Sequence, residues 1–187
     1  MNVIIFGPPG AGKGTQSSNI VKKFNLHQVS TGDLLRNEVK NKTDIGRDIE
    51  NIISKGDFAT DEIVNELIKN IVFDSQKKNR LIFDGYPRSL NQANNLDLLL
   101  KGSNQKIDFI FFLNVNKNTI IKRIEKRRFL EKRTDDNLNT ILKRYDTYME
   151  TTRPVLEFYS KNPNFYEING DEEISIISSK IEKILTL

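Results

Sequence analysis

The stretch VIIFGPPGAGKGT, residues 3–15, determines how the rest of the sequence is interpreted. Its apolar run at residues 3–6 predicts a buried strand, and the loop that follows leads into a predicted helix over residues 13–24. Glycines allow the backbone N–H groups of such a loop to turn toward an anion and to approach it closely. The N-terminus of the helix adds about half a positive charge, and Lys13 can reach the outer phosphates of a nucleotide. The stretch therefore predicts a phosphate-binding loop at the end of the first strand.

One position departs from the usual form of this loop. The residue after Lys13 is Gly14, and the hydroxyl of Thr15 comes one position later than the hydroxyl that commonly holds Mg²⁺. This argues against a GTPase or a motor ATPase, and it predicts an Mg²⁺ ion held mainly by phosphates and water. The letters NKTD at residues 41–44 match a guanine-reading motif, but they follow a predicted helix early in the chain, so we interpret them as coincidence.

Short apolar runs and helical patterns alternate along the rest of the chain. Further strands are predicted at residues 28–30, 81–83, 109–113 and 165–168. Helices are predicted at 13–24, from Thr31 as N-cap onward, at 46–55, 61–73, 89–101 and 118–128, at 135–160 with a break near Pro154, and at 171–185. Such alternation is typical of an α/β fold, in which helices cover both faces of a parallel sheet and ligands bind at the carboxyl ends of its strands.

The composition is that of an ordinary globular protein of 187 residues, 37% hydrophobic and 29% charged. The absence of Cys excludes disulfides, thiolate zinc sites and cysteine nucleophiles. The N-terminal residues do not have the pattern of a signal peptide, so we expect a cytoplasmic location. A net charge of +4 fits either an ordinary basic surface rich in Lys or an anionic partner such as a nucleotide, a nucleic acid or a membrane, and charge alone does not distinguish these interpretations.

Three motifs, in this order, resemble those of the adenylate kinases: the loop at residues 7–15, STGD at 30–33 and DGYPR at 84–88. The resemblance extends from Met1 to near the C-terminus. It implies reversible phosphoryl transfer from ATP to AMP with Mg²⁺, giving ADP. It also implies a five-stranded, P-loop NTPase-like core within a single domain, with a mobile AMP-binding insertion at about residues 30–59 and a short lid at about residues 126–137.

The resemblance further assigns roles to individual residues. Those that match the ATP site are Gly10, Ala11, Gly12, Lys13, Gly14 and Thr15, with Gly170 beside the adenine. Those that match the AMP site are Thr31, Arg36, Asp57, Phe58, Ala59, Gly85, Tyr86, Pro87, Arg88 and Gln92. In this set the amide of Gln92 pairs with adenine, which suits a side chain that offers both a donor and an acceptor. Asp84 matches the carboxylate that orders Mg²⁺ through water, so no direct protein ligand for the metal is predicted.

Arginines are concentrated in a short stretch: Arg123, Arg127, Arg128, Arg133 and Arg144. One interpretation is a nucleic-acid-binding patch, but Phe129 alone interleaves with them, which gives little support for base stacking. The other is phosphoryl transfer, where positive charge stabilises the negative charge spread over the transferring group.

The resemblance favours phosphoryl transfer. It places Arg123 and Arg127 on ATP. It makes Arg133 and Arg144 the bridge to AMP, and it gives Asp135 and Asp136 the role of holding the lid closed. Together with Lys13, Arg88 and Asp84, those four arginines form the predicted catalytic set.

Only four residues separate Arg128 from Arg133, so the lid resembles the short form, which has no zinc site. Short-lid relatives are often monomers, and a monomer is expected here. The lone His27 is interpreted as a surface or packing residue, and no general base is predicted. Thr31 and Gln92 match the adenylate kinases, whereas UMP/CMP kinases typically carry Ala and Asn at these places. A UMP/CMP kinase is the first alternative, and a nucleic-acid-binding P-loop protein is the second.

Overall fold

A computed structural model of the chain describes residues 1–55, 57, 59–131 and 138–187. The strands in these ranges are β1 (Val3–Phe6), β2 (His27–Ser30), β3 (Leu81–Asp84), β4 (Phe109–Asn114) and β5 (Phe165–Asn169). They form one parallel sheet in the order β2-β3-β1-β4-β5. The predicted α/β fold with five parallel strands is confirmed.

Nine α-helices connect or flank these strands within the described ranges. They are α1 (Lys13–Phe24), α2 (Thr31–Lys40), α3 (Asp44–Ser54), α4 (Asp61–Val72), α5 (Leu90–Gly102), α6 (Lys117–Glu131), α7 (Leu138–Thr151), α8 (Arg153–Tyr159) and α9 (Ile174–Leu185). A short 3₁₀ helix, Ser75–Lys77, precedes β3. In the part of the chain that the structure describes, no helix is both long enough and apolar enough to span a bilayer.

The structure corrects the predicted start of α2. Thr31 is not the N-cap of α2; the hydroxyl of Ser30 accepts the hydrogen bond from Asp33 N at 3.3 Å, and Thr31 is already helical. The hydroxyl of Thr31 instead donates to Gly85 O at 2.9 Å. The break predicted near Pro154 is confirmed: α7 ends at Thr151 and α8 begins at Arg153, because Pro154 has no N–H to continue the ladder of helical hydrogen bonds and its ring clashes with the preceding turn.

The sheet separates two hydrophobic layers because side chains alternate between its faces. On one face, Ile4 and Phe83 pack with buried residues of α4, α5 and α8. On the other face, Ile5 and Phe111 pack with buried residues of α1, α6 and α9. Both faces of the central strands are thus covered, which leaves the ends of the strands as the place where a ligand can reach the sheet.

The register of the strands brings the three sequence motifs together. Ile5 pairs with Asp84, and Asp84 pairs with Ser30, so the carboxyl ends of β1, β3 and β2 lie side by side. The loop after β1, the STGD segment and the DGYPR segment all begin at this edge. His27 is the first residue of β2 and therefore lies at the amino ends of the strands, away from these three motifs.

Candidate functional site

A cleft of about 920 Å³ opens at the carboxyl edge of the sheet, which is large enough to hold small-molecule ligands. Most of the predicted site residues line it. Those from the predicted ATP site are Gly10, Ala11, Gly12, Lys13, Gly14, Thr15, Arg123 and Arg127. Those from the predicted AMP site are Thr31, Arg36, Asp57, Ala59, Gly85, Pro87, Arg88, Gln92 and Arg144, and Asp84 lies with them.

The loop between β1 and α1 forms the floor of the cleft. Gly10 has a φ of 82°, and a Cβ atom there would come within 2.7 Å of the side chain of Ile124 on α6. A larger residue would therefore be strained and would push α6 away from the loop. Gly12, at the N-cap position of α1, has no side chain to cap the helix. The first N–H groups of α1 thus lie at a face of the cleft that favours an anion.

The ammonium group of Lys13 lies against the same loop. Its Nζ donates to Gly7 O at 2.8 Å and to Pro8 O at 3.1 Å. Burial is the main cause that lowers the pKa of Lys13 to about 8; within that net shift the Asp84 carboxylate opposes the effect of burial, and the charges of Arg88 and Arg127 add to it. The charged form of Lys13 is therefore disfavoured at this position, and a bound anion would stabilise it.

Asp84 ends β3 beside this loop, and it is 8% exposed. Burial raises its pKa, while the charge of Lys13 and a hydrogen bond from Gln28 oppose the rise. That bond joins Gln28 Nε2 to Asp84 Oδ2 at 3.0 Å. A Cβ atom on Gly14 would lie 3.7 Å from the same oxygen, so this carboxylate faces the position where related loops carry a hydroxyl.

Arg88 extends from the loop after β3 into the cleft. Its Nε donates to Gly85 O at 2.7 Å, and its backbone carbonyl accepts from the hydroxyl of Thr152 at 3.3 Å. Burial and, to a smaller extent, the charge of Arg144 lower the pKa of Arg88 to about 10, although the charge of Asp84 opposes them. A guanidinium with that pKa remains charged at neutral pH, and its planar fork matches the oxygens of a phosphate.

Gln92 lies in the first turn of α5 and is 4% exposed. Its Oε1 accepts from Arg88 N at 2.8 Å, and its Nε2 donates to Asp61 Oδ1 at 2.6 Å. The side chain that the resemblance assigns to adenine is therefore already held by two partners. Its role toward adenine stays a prediction.

Besides Arg88, arginines from three different helices line the cleft. Arg123, on α6, donates to Ala11 O at 3.2 Å and to Glu172 O at 3.4 Å, so it joins the phosphate loop to the segment before α9. Arg36, on α2, forms an ion pair of 2.5 Å with Asp33. Arg144, on α7, is close enough to Arg88 to lower its pKa. Several positive charges thus converge on one space, which suits a polyanionic ligand.

Two of the predicted residues are placed elsewhere. Tyr86 is fully buried, and its hydroxyl donates to Asn65 Oδ1 at 2.9 Å. Gly170 N donates to Asn114 O at 2.8 Å, and a Cβ atom on Gly170 would lie 2.4 Å from Val115 Cγ2. Gly170 is therefore required by close packing, while its neighbours Asp171 and Glu172 line the cleft. The predicted residues Phe58, Arg133, Asp135 and Asp136 lie outside the described residues.

Sequence reasoning missed three side chains that support the site. Gln28 bonds Asp84, Asp61 bonds Gln92, and Thr152 bonds the backbone of Arg88. Gln28 lies two residues before the STGD segment, which is a weak signal for its role. Neither Asp61 nor Thr152 belongs to a motif, so no pattern in the sequence singles them out.

Comparisons with known proteins show the family to which the chain belongs. The adenylate kinase family model matches residues 5–164. The adenylate kinase of Pelagibacter ubique (strain HTCC1062) is 51% identical over 211 aligned positions, which cover 99% of each chain. That of Azobacteroides pseudotrichonymphae genomovar. CFP2 is 41% identical over 186 positions, covering 98% of this chain and 97% of the relative. Because these matches extend over almost the whole sequence, the chain belongs to the adenylate kinase family, whose reaction is phosphoryl transfer between ATP and AMP.

Proposed function

We propose that the cleft carries out reversible phosphoryl transfer from Mg·ATP to AMP, with ATP on the loop of residues 10–15 and AMP between Thr31 and Gln92. The observation that carries this assignment is the meeting of three separate motifs at one cleft that also holds Lys13 and Arg88. One cation belongs to the loop and the other to the segment after β3. Each can therefore bind the phosphate of a different nucleotide.

The chemistry requires little from the protein beyond position and charge. The N–H groups of the loop and Lys13 bind the outer phosphates of ATP, and Arg123 and Arg127 add charge from α6. Arg36 and Arg88 bind the phosphate of AMP, one oxygen of which attacks the γ-phosphorus while the bond to the β–γ bridging oxygen breaks. That phosphate oxygen is already a competent nucleophile, so no general base is needed.

Mg²⁺ fits this site as an ion held by phosphates and water. Among the described residues, no group of three or more His, Cys, Asp and Glu side chains is placed to hold a metal ion. Asp84 is a buried carboxylate that faces the start of α1, where it can accept hydrogen bonds from metal-bound water. The ion supplies positive charge that neutralises the phosphates as they react.

Two segments are proposed to close over the nucleotides: residues of about 30–59 on the AMP side and residues of about 126–137 as the lid, where Arg133, Asp135 and Asp136 lie. Closure excludes water, so that AMP accepts the phosphoryl group in its place. Gly170 is proposed to lie beside the adenine of ATP through its backbone. We further propose that the enzyme acts as a monomer in the cytoplasm, where its nucleotide substrates are found.

The test is transfer from Mg·ATP to AMP, UMP, CMP and GMP in parallel, with the products separated by chromatography. We expect ADP formation with AMP to exceed the reaction with every other acceptor. A preference for UMP or CMP would leave the mechanism in place and overturn the assignment of Thr31 and Gln92. Lack of transfer to every acceptor by a folded, ATP-binding protein would overturn the proposed function.

The pKa of Lys13 predicts how ATP binding depends on pH. Because this pKa is lowered to about 8, the amine loses its proton in the nucleotide-free enzyme as the pH rises through that value. The phosphates of ATP favour the charged form, so binding takes up a proton. The dissociation constant for ATP should rise above pH 8, approaching about tenfold per pH unit.

Calorimetry in two buffers of different ionisation enthalpy measures this proton uptake directly. The Lys13→Met variant is the control, since it has no group to titrate there and its affinity should be weaker and independent of pH over the same range. An affinity of the unmodified enzyme that stays constant from about pH 7 to pH 9 would contradict the prediction.

A further inference from the structure

Asp61, the first residue of α4, connects that helix to the start of α5. Its Oδ2 accepts from the hydroxyl of Ser89 at 2.8 Å and from Asn91 Nδ2 at 3.1 Å. Its Oδ1 accepts from Gln92 Nε2 at 2.6 Å. One carboxylate oxygen thus joins the helices, and the other is directed at the amide that we place against the base of AMP.

The two partners of Gln92 determine which way its amide points. A carboxylate only accepts hydrogen bonds, so the Gln92 nitrogen must face Asp61. The backbone N–H of Arg88 only donates, so the Gln92 oxygen must face Arg88. Turning the amide by half a rotation would set oxygen against oxygen and N–H against N–H. Both contacts would become repulsive, and Gln92 is too buried for water to replace them.

The orientation of this amide matters because adenine and a 6-oxopurine present opposite edges. Adenine offers an acceptor at N1 and a donor at its 6-amino group. A 6-oxopurine, such as the base of IMP or GMP, offers a donor at N1 and an acceptor at its 6-oxygen. A freely turning amide can pair with either edge. The amide of Gln92 has one hydrogen and one lone pair left after its bonds to Asp61 and Arg88, in a fixed order.

We propose that Asp61 is a specificity-determining positioning residue, which selects AMP over 6-oxopurine monophosphates by locking the amide of Gln92. This inference rests on the proposed contact of Gln92 with the base of AMP. When the amide is locked, the N–H of Gln92 faces the N1–H of a 6-oxopurine at the same place, and the Gln92 oxygen faces the 6-oxygen of that base. A site whose polar groups are left unpaired rejects such an analogue strongly.

The test compares kcat/KM for AMP and IMP, which differ only at this edge of the base. In Asp61→Ala, a turned Gln92 amide would meet only one repulsive contact, with the N–H of Arg88, because the contact with the Asp61 carboxylate is gone. We expect the AMP/IMP ratio of kcat/KM to fall by about tenfold or more. Asp61→Asn keeps the size of the side chain but can present either oxygen or NH₂ to Gln92. It should also lower the ratio, and it serves if the alanine variant does not fold.

Asn91→Ala is the matched control, since it removes a partner of Asp61 Oδ2 and leaves the bond to Gln92 intact. It should keep the AMP/IMP ratio of kcat/KM of the unmodified enzyme. The control thereby distinguishes the positioning of Gln92 by Asp61 from a role of Asp61 only in joining α4 to α5. An unchanged ratio in folded Asp61→Ala and Asp61→Asn, beside a lowered ratio in Gln92→Ala, would overturn the inference alone. An unchanged ratio in Gln92→Ala as well would overturn the proposed adenine contact, and the inference with it.

Discussion

Replacement of Lys13 by methionine is expected to lower kcat by on the order of 10²-fold or more, which is the scale for loss of one preorganised charge. Lys13 donates to the carbonyls of Gly7 and Pro8, and so its charge is held beside the phosphate loop before ATP binds. Methionine keeps much of the length of the side chain and removes the charge. The measurement is the steady-state rate of ADP formation at saturating Mg·ATP and AMP.

The Lys13→Met variant should remain folded, so the loss can be assigned to chemistry. Burial lowers the pKa of Lys13, which means that the charge is unfavourable there without a phosphate. Lys22, exposed on the same helix, is the matched control, and Lys22→Met should keep the activity of the unmodified enzyme. A folded Lys13→Met enzyme with ordinary kcat would exclude a role for Lys13 in the transition state.

Arg88→Ala is expected to lower kcat/KM for AMP, and kcat itself, by on the order of 10²-fold or more. Its guanidinium lines the cleft and is oriented by the bond from Nε to Gly85 O. The substitution removes the positive charge of the guanidinium, and it also removes the two parallel donors that would position the AMP phosphate. Arg88→Lys keeps a charge without the fork, so its activity should lie between the two. The rate is measured against AMP concentration at saturating Mg·ATP.

Arg153, an exposed residue of α8 that lies 4.0 Å from Glu157, provides the control for Arg88. Arg153→Ala removes the same side chain from the surface and should leave both kinetic constants unchanged. The melting temperature of each variant separates loss of fold from loss of function. Normal turnover by folded Arg88→Ala would end the assignment of that residue to the AMP phosphate.

The fold could be predicted from the sequence because its signals are local. The three central strands, β3, β1 and β4, are short apolar runs, and the run at residues 3–6 leads directly into the phosphate loop. The helix boundaries were predicted less well, since they depend on which neighbour a side chain bonds. The sequence predicts Thr31 as the cap of α2, but the Thr31 hydroxyl donates to the nearby carbonyl of Gly85, and Ser30 caps the helix. The hydrogen bond of Thr31 forms because β3 lies beside β2, and the sequence around Thr31 gives no sign of that pairing.

The candidate site divides in the same way. The phosphate loop, the STGD and DGYPR segments and the alternation of strand and helix can be recognised in the sequence, because each is a pattern of adjacent residues. How these groups are held depends on contacts between distant parts of the chain. Gln28 and Asp84 are 56 residues apart, and Asp61 and Gln92 are 31 apart. Such pairs meet only when strands align and helices pack, and the direction of a hydrogen bond at a buried amide is set by the partners that packing provides.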